Sequence, residues 1–244
     1  MKKTIVSFLL IFSVLFSFAQ KGKLEVKITR LDNGMKVMLC EDHSKSEIYG
    51  GVCVHAGSKN DPSEATGMAH YLEHMMFKGT DKIGTLDWKA EQPLIGEIAT
   101  LYDQLSESNN EKEKKKILKE LNKLSAEAAQ YAIPNEVDAI LGQIGSTNVN
   151  AFTNNDFTVY HNIFPSGELE KWSVIYAERF RNPVFRLFQS ELEAVYEEYN
   201  MYSDDPFSVY QEDVMATVFK GHPYGIPISG YPEHIKNPSM SKMY

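Results

Sequence analysis

Apolar residues recur along this 244-residue chain with two periods, and the switches between them outline the fold. Leu24 to Thr29 and Met35 to Leu39 alternate apolar with polar around Leu31-Asp32-Asn33-Gly34. Asn-Gly between two such runs predicts a β-hairpin. Ile48 to His55 alternates again and predicts a third strand. The period then lengthens. Met68, Leu72, Met75 and Met76 suit an amphipathic helix, with Gly79 as its natural stop. Leu94, Ile98, Leu101 and Leu105 keep helical spacing, as do Ile117, Leu121, Leu124 and Ala128, with the polar break Ser106 to Asn110 between them. These predict a helical hairpin at about 85–132, its charged run a solvated face. Pro134-Asn135-Glu136 opens a short helix that ends near Gly142.

Strand signals return at Thr147 to Thr153 and Phe157 to Phe164, joined by the turn cluster Asn154-Asn155-Asp156. Leu169, Trp172, Ile175, Tyr176 and Phe180 mark another helix, a further one follows Phe185, and a third covers roughly Ser208 to Phe219. The last twenty residues are punctuated by Pro and Gly and predict no closing element. Three strands feeding a helix do not make a repeating parallel unit. The expected class is therefore α+β, a largely antiparallel sheet backed by helices with the helical hairpin inserted.

Composition narrows this picture at three points. Hydrophobic and charged fractions of 43% and 24% are those of an ordinary globular protein. A net charge of -8, with no basic run outside the charged insert, excludes nucleic acid as a partner. Lys2 and Lys3 precede the apolar run Ile5 to Phe18, and Ser17 and Ala19 are small where a signal peptidase cuts. Residues 1–19 are therefore expected to be a cleaved bacterial-type signal peptide, leaving 20–244 as an exported, periplasmic or secreted domain with no stable membrane span. Cys40 and Cys53 lie on neighbouring predicted strands, where they would either pair or sit buried as small strand residues. Burial is the reading adopted.

The chemistry concentrates at His70-Tyr71-Leu72-Glu73-His74. On a helix, residues four apart lie one turn above each other, so His70 and His74 can aim both imidazoles at one point. Two imidazoles begin a tetrahedral zinc site that keeps one position for water, and Glu73 lies on the same side to take that water's proton. This order is the inverzincin arrangement. A third ligand is expected from the acidic helix Glu191 to Tyr199. Phe188, Leu192, Val195 and Tyr199 define its apolar face; Glu191 and Glu198 fall within about 60° of that face, while Glu193 and Glu197 point away. Helical phase alone does not choose between Glu191 and Glu198.

Taken together, Gly67 to Thr80, Asn150-Ala151-Phe152-Thr153 with Asp156 and Thr158, the acidic helix, and His222-Pro223-Tyr224-Gly225 resemble the inverzincin metallopeptidases. That family includes pitrilysin, insulin-degrading enzyme and mitochondrial processing peptidase. The resemblance implies one Zn²⁺ per chain bound by His70, His74 and Glu198, with Glu73 as general base on the zinc-bound water. It also implies that Glu191 supports the site from one layer out. The family's substrate-holding edge strand matches Thr147 to Thr153, which implies that Asn150 and Ala151 touch an extended peptide. The expected function is a zinc endopeptidase acting on peptides or unfolded polypeptides. The alternative is a non-catalytic peptide-binding or partner subunit of a two-part peptidase. Two departures are visible. The separation of His74 from Glu198 is lengthened by the helical hairpin, and the chain resembles a shortened N-terminal half whose expected partner is a second homologous half or subunit.

Overall fold

A computed structural model of the chain describes residues 25–236 and 238–243. The expected signal peptide falls outside them. Two compact units divide the chain at Ser46/Glu47. In the first, β1 (Val26–Arg30) and β2 (Lys36–Cys40) pair antiparallel, with Val26 opposite Cys40 and Arg30 opposite Lys36. The turn is the one that Asn-Gly predicts. Gly34 has φ +87°, and the Leu31 amide donates to the Met35 carbonyl at 2.9 Å.

The second unit is built on an antiparallel sheet of β3 (Glu47–Val54), β4 (Thr147–Thr153) and β5 (Thr158–Pro165) in the order β3-β5-β4. Central β5 alternates strictly. Thr158, Tyr160, Asn162 and Phe164 are buried, whereas the residues between them are half-exposed. The buried face packs on helix α5 (Leu169–Arg181), where Trp172 stacks between Phe164 and Tyr176 at ring distances of 5.0 and 4.3 Å. Asn162 is fully buried and satisfied, its Oδ1 accepting from Trp172 Nε1 and the Tyr176 hydroxyl.

The motif helix α1 (Met68–Met75) lies between two apolar clusters. On one side it meets the helical hairpin α2 (Trp88–Glu107) and α3 (Glu111–Ala128), with α6 (Phe188–Asp204). On the other it meets the sheet, α4 (Glu136–Gln143) and α5. The insert is a helical hairpin at the expected place, and its base is closed by a bridge between Thr85 and Ala132. It packs into the core through Tyr102, whose ring meets Phe188 edge-on at 4.6 Å and whose hydroxyl donates to Gln189. Helix α7 (Pro206–Val218) begins at the N-cap Asp205 and is followed by the His222-Pro223-Tyr224-Gly225 turn. No helix among the described residues is long and apolar enough to cross a membrane.

A buried ion pair ties these parts together. Arg186 is 1% exposed and uses all five N–H groups. It grips Glu91 of α2 bidentately at 2.9 and 3.1 Å and donates to the carbonyls of Lys78, Thr80 and Ile83. The turn leaving α1 is thereby fastened to α2 and to the entry of α6.

Three expectations need correction. Regular helix ends at Met75, four residues before Gly79, because the Phe77 and Lys78 amides tighten onto His74 and Met75. Gly79, at φ +96°, instead shapes the turn against Ile83 and Arg186. The C-terminal stretch is not featureless, since Pro232–Ile235 forms one helical turn, α8, that buries Ile235. Cys40 and Cys53 are free and exposed rather than buried. Outer strand β3 buries only Gly50, and every described position of β1 and β2 is exposed except half-exposed Val37.

Candidate metal centre

Helix α1 is held at its start by Asp61, whose two carboxylate oxygens accept from the Gly67 and Ala69 amides at 2.8 Å each. This satisfies donors that the helix itself cannot. Burial pushes the Asp61 carboxyl up to about 6 against these bonds. Gly67 precedes the helix at φ +84°, with the Ser229 carbonyl 2.3 Å from where a β-carbon would sit. Midway along α1 the Tyr71 hydroxyl donates to the Phe188 carbonyl at 2.7 Å, setting α1 against the first turn of α6.

That contact brings the two predicted helices face to face. His70 and His74 stand edge to face with ring centroids 4.9 Å apart. Glu198 reaches both, His74 Nε2 at 3.3 Å and His70 Nε2 at 3.8 Å. Ligand atoms of His70, His74 and Glu198 all lie within 4.8 Å of one another. Bonds of ~2.0–2.2 Å separate the ligands of one tetrahedral zinc by about 3.4 Å, so this donor set fits that ion with one position left open. Glu191 accepts from His74 Nδ1 at 3.0 Å and is itself paired with Lys78. Glu193 and Glu197 are exposed on the far side of α6.

The electrostatics follow from these contacts. Burial, then the neighbouring His74, push His70 down to about 4, partly offset by Glu198. Burial would lower His74 too, but its hydrogen bonds to Glu191 and Glu198 outweigh it and raise His74 to about 9. The His74 hydrogen bond, opposed by burial, holds Glu198 down at about 2. His74 is thus the protonated imidazole of the pair at neutral pH, donating Nδ1–H toward Glu191 and Nε2–H toward Glu198, whereas His70 is neutral.

Glu73 is 8% exposed, and burial raises its proton affinity against a 2.7 Å hydrogen bond from Thr153 Oγ1 to Oε2. Thr153 ends β4, the sheet edge that also carries Asn150, which is exposed, and Ala151, which is buried. A bulge at Asn148, φ +51°, separates these residues from the start of the strand. All five side chains of the predicted site, with Asn150 and Ala151, line one cleft of ≈ 850 Å³. Its rim is closed by Tyr224, whose hydroxyl donates to Asp156 at 2.8 Å and so joins the Pro223–Gly225 turn to the β4–β5 turn. Sequence reasoning assigned no role to Thr153, Lys78, Tyr202 or Asp61. The partners of Thr153 and Lys78 lie far away in the chain, whereas Asp61 caps a helix that starts only seven residues later and Tyr202 stands one helical turn after Glu198.

The family model for Insulinase (Peptidase family M16) matches residues 36–96 and 128–231. The chain belongs to this family. The unmatched stretch between the two segments falls within the α2–α3 hairpin, while the first residues of α2, Glu91 among them, lie inside the matched region. Among curated proteins, "Uncharacterized zinc protease YmxG" of Bacillus subtilis is 25% identical over 208 residues, covering 85% of this chain and 39% of that protein. "Mitochondrial-processing peptidase subunit beta" of Bos taurus is 37% identical over 78 residues, 32% of this chain and 16% of that one. "Protease 3" of Escherichia coli is 38% identical over 73 residues, 30% of this chain and 8% of that one. A solved protease from Helicobacter pylori shares the fold with TM-score 0.65 and 21% identity, over 91% of this chain and 42% of the other. The chain therefore spans about two fifths of the longest-matching relatives.

Proposed function

We propose that this chain is a zinc-dependent metalloendopeptidase that hydrolyses peptides or unfolded polypeptides. The observation that carries the reading is the convergence of His70, His74, Glu198 and Glu73 on one cleft walled by an edge strand. A zinc ion held by His70, His74 and Glu198 would polarise the scissile carbonyl and acidify a water beside it. Glu73 takes a proton from that water and returns it to the leaving amine. Its burial-raised proton affinity suits both steps. Thr153 fixes one oxygen of Glu73, leaving the other to move the proton. Glu191 holds Nδ1 of His74, which directs Nε2 toward Glu198. Asn150 and Ala151 offer an extended peptide a strand edge to pair with. Residues 1–19 would export the chain and be removed, leaving 20–244 as a peptidase N-terminal domain.

The test is hydrolysis of a mixed quenched peptide library by the zinc-loaded chain beside Glu73→Gln. Chelator-sensitive cleavage that disappears in the variant, with zinc retained, is the expected result. Cleavage that survives Glu73→Gln overturns the role of Glu73, and cleavage indifferent to chelator overturns the metal. A folded, zinc-loaded chain that cleaves nothing would favour the second reading, a peptide-binding partner of another polypeptide.

A further inference from the structure

Glu198 is the weakest-anchored member of the candidate metal centre. His70 and His74 sit on a short helix clamped at its start by Asp61 and in its middle by Tyr71. Glu198 lies near the C-terminal end of α6, with a side chain 25% exposed. The carboxylate torsion of a glutamate is broad and intrinsically soft. Something must stop it from swinging into the open cleft.

Two donors do so. His74 Nε2 lies 3.3 Å from Oε2, and the Tyr202 hydroxyl donates to Oε1 at 3.0 Å. They are not equivalent. An imidazole nitrogen that binds a metal cannot also carry a proton, so the His74 contact ceases to be a hydrogen bond when an ion enters. The Tyr202 bond does not depend on that proton: the phenol keeps its own O–H and can donate to Oε1 whether or not an ion is bound. Tyr202 stands one helical turn beyond Glu198 and lines the same cleft, so its hydroxyl reaches the carboxylate from its own helix without bending α6.

We propose that Tyr202 is a positioning residue that fixes the Glu198 carboxylate for metal binding. It does for the third ligand what Glu191 does for His74. The proposal rests on the reading of His70, His74 and Glu198 as a zinc site and names a fourth side chain on which that site depends. The alternative is a helix-surface tyrosine–glutamate pair that steadies α6 slightly and contributes nothing to the metal. The two differ in what they do to zinc affinity, which needs no catalytic turnover to measure.

The experiment takes the wild-type chain, Tyr202→Phe, Glu198→Gln and the double variant. Zinc dissociation constants are read by competition with a chromophoric chelator, beside thermal midpoints of the metal-free proteins. Phenylalanine keeps the ring and removes only the hydroxyl. Tyr202→Phe is expected to weaken zinc binding about tenfold, the low end for outer partners of metal ligands, with the metal-free midpoint unchanged. In the Glu198→Gln background the same change should cost nothing further. A loss under threefold overturns the proposal, as does an equal loss in the Glu198→Gln background or one matched by a fall in the metal-free midpoint. If wild type takes up zinc normally and Tyr202→Phe does too, only this proposal fails. If wild type takes up none, the metallopeptidase reading falls and the proposal falls with it.

Discussion

Zinc uptake by this chain should release one proton at neutral pH, neither none nor two. The perturbation is pH itself. His70, held at about 4, and Glu198, held at about 2, have both lost their protons well below pH 7. His74, raised to about 9 by Glu191 and Glu198 over the opposing effect of burial, keeps its proton. A metal must displace that single proton. Between pH 5.5 and 7 the apparent association constant should therefore rise about tenfold per pH unit. Titration calorimetry in two buffers of different ionisation enthalpy should report one proton released per zinc. A flat profile would mean that His74 is neutral and the Glu191–His74–Glu198 bridge is not charged. A slope of two would mean that His70 also holds a proton, against its burial. Either result refutes the reasoning.

The same shift sets a stability profile for the metal-free chain. His74 has a higher proton affinity folded than unfolded, so its contribution is fully present below about pH 6.5 and is lost as pH rises through about 9. The difference of about 2.5 units corresponds to about 3 kcal/mol, an upper figure because Glu198 and Glu191 belong to the same bridge and count once. Chemical denaturation at pH 6 and pH 9.5 should show that loss in the metal-free wild type and much less of it in His74→Ala.

Other perturbations follow from single contacts. Arg186→Met leaves Glu91 buried and unpaired, and strips the Lys78 and Thr80 carbonyls of their donor; denaturant unfolding should show a loss of about 3–5 kcal/mol, and a loss under 1 kcal/mol would contradict the pairing. Thr153→Val removes the hydrogen bond that restrains the proton affinity of Glu73, so the acidic limb of kcat/KM should move to higher pH and kcat should fall about tenfold, with Thr153→Ser restoring both. An unmoved limb in an active Thr153→Val enzyme would show that the threonine does not reach the base.

What the sequence makes legible here is what local physics decides. Asn33-Gly34 needs no tertiary help to turn a hairpin, and the phase of Leu192 and Val195 alone turns Glu191 and Glu198 toward the same side of α6 while Glu193 and Glu197 face away. The helical hairpin is legible for the same reason, since two apolar stripes with a polar break can bury themselves against each other. What stays illegible is contact across distance. Nothing near Thr153 announces a glutamate eighty residues earlier, and Arg186 sits in the apolar run Val184-Phe185-Arg186-Leu187-Phe188, where a charge reads as a surface interruption. Its five satisfied donors make it the opposite, a core residue. The distinction has a mechanical consequence. The parts of the site that sequence reveals are the candidate ligands, but the parts that hold them in place, Arg186 with Glu91 and Tyr71 on Phe188, are the nonlocal ones. The inserted hairpin belongs to this second group, because α2 supplies Glu91 to Arg186 and Tyr102 to Phe188 at the start of the helix that carries Glu198. A hairpin fastened at those two points is a brace behind the site rather than a flap over it, so shortening α3 at its tip should disturb the candidate centre far less than cutting either contact on α2.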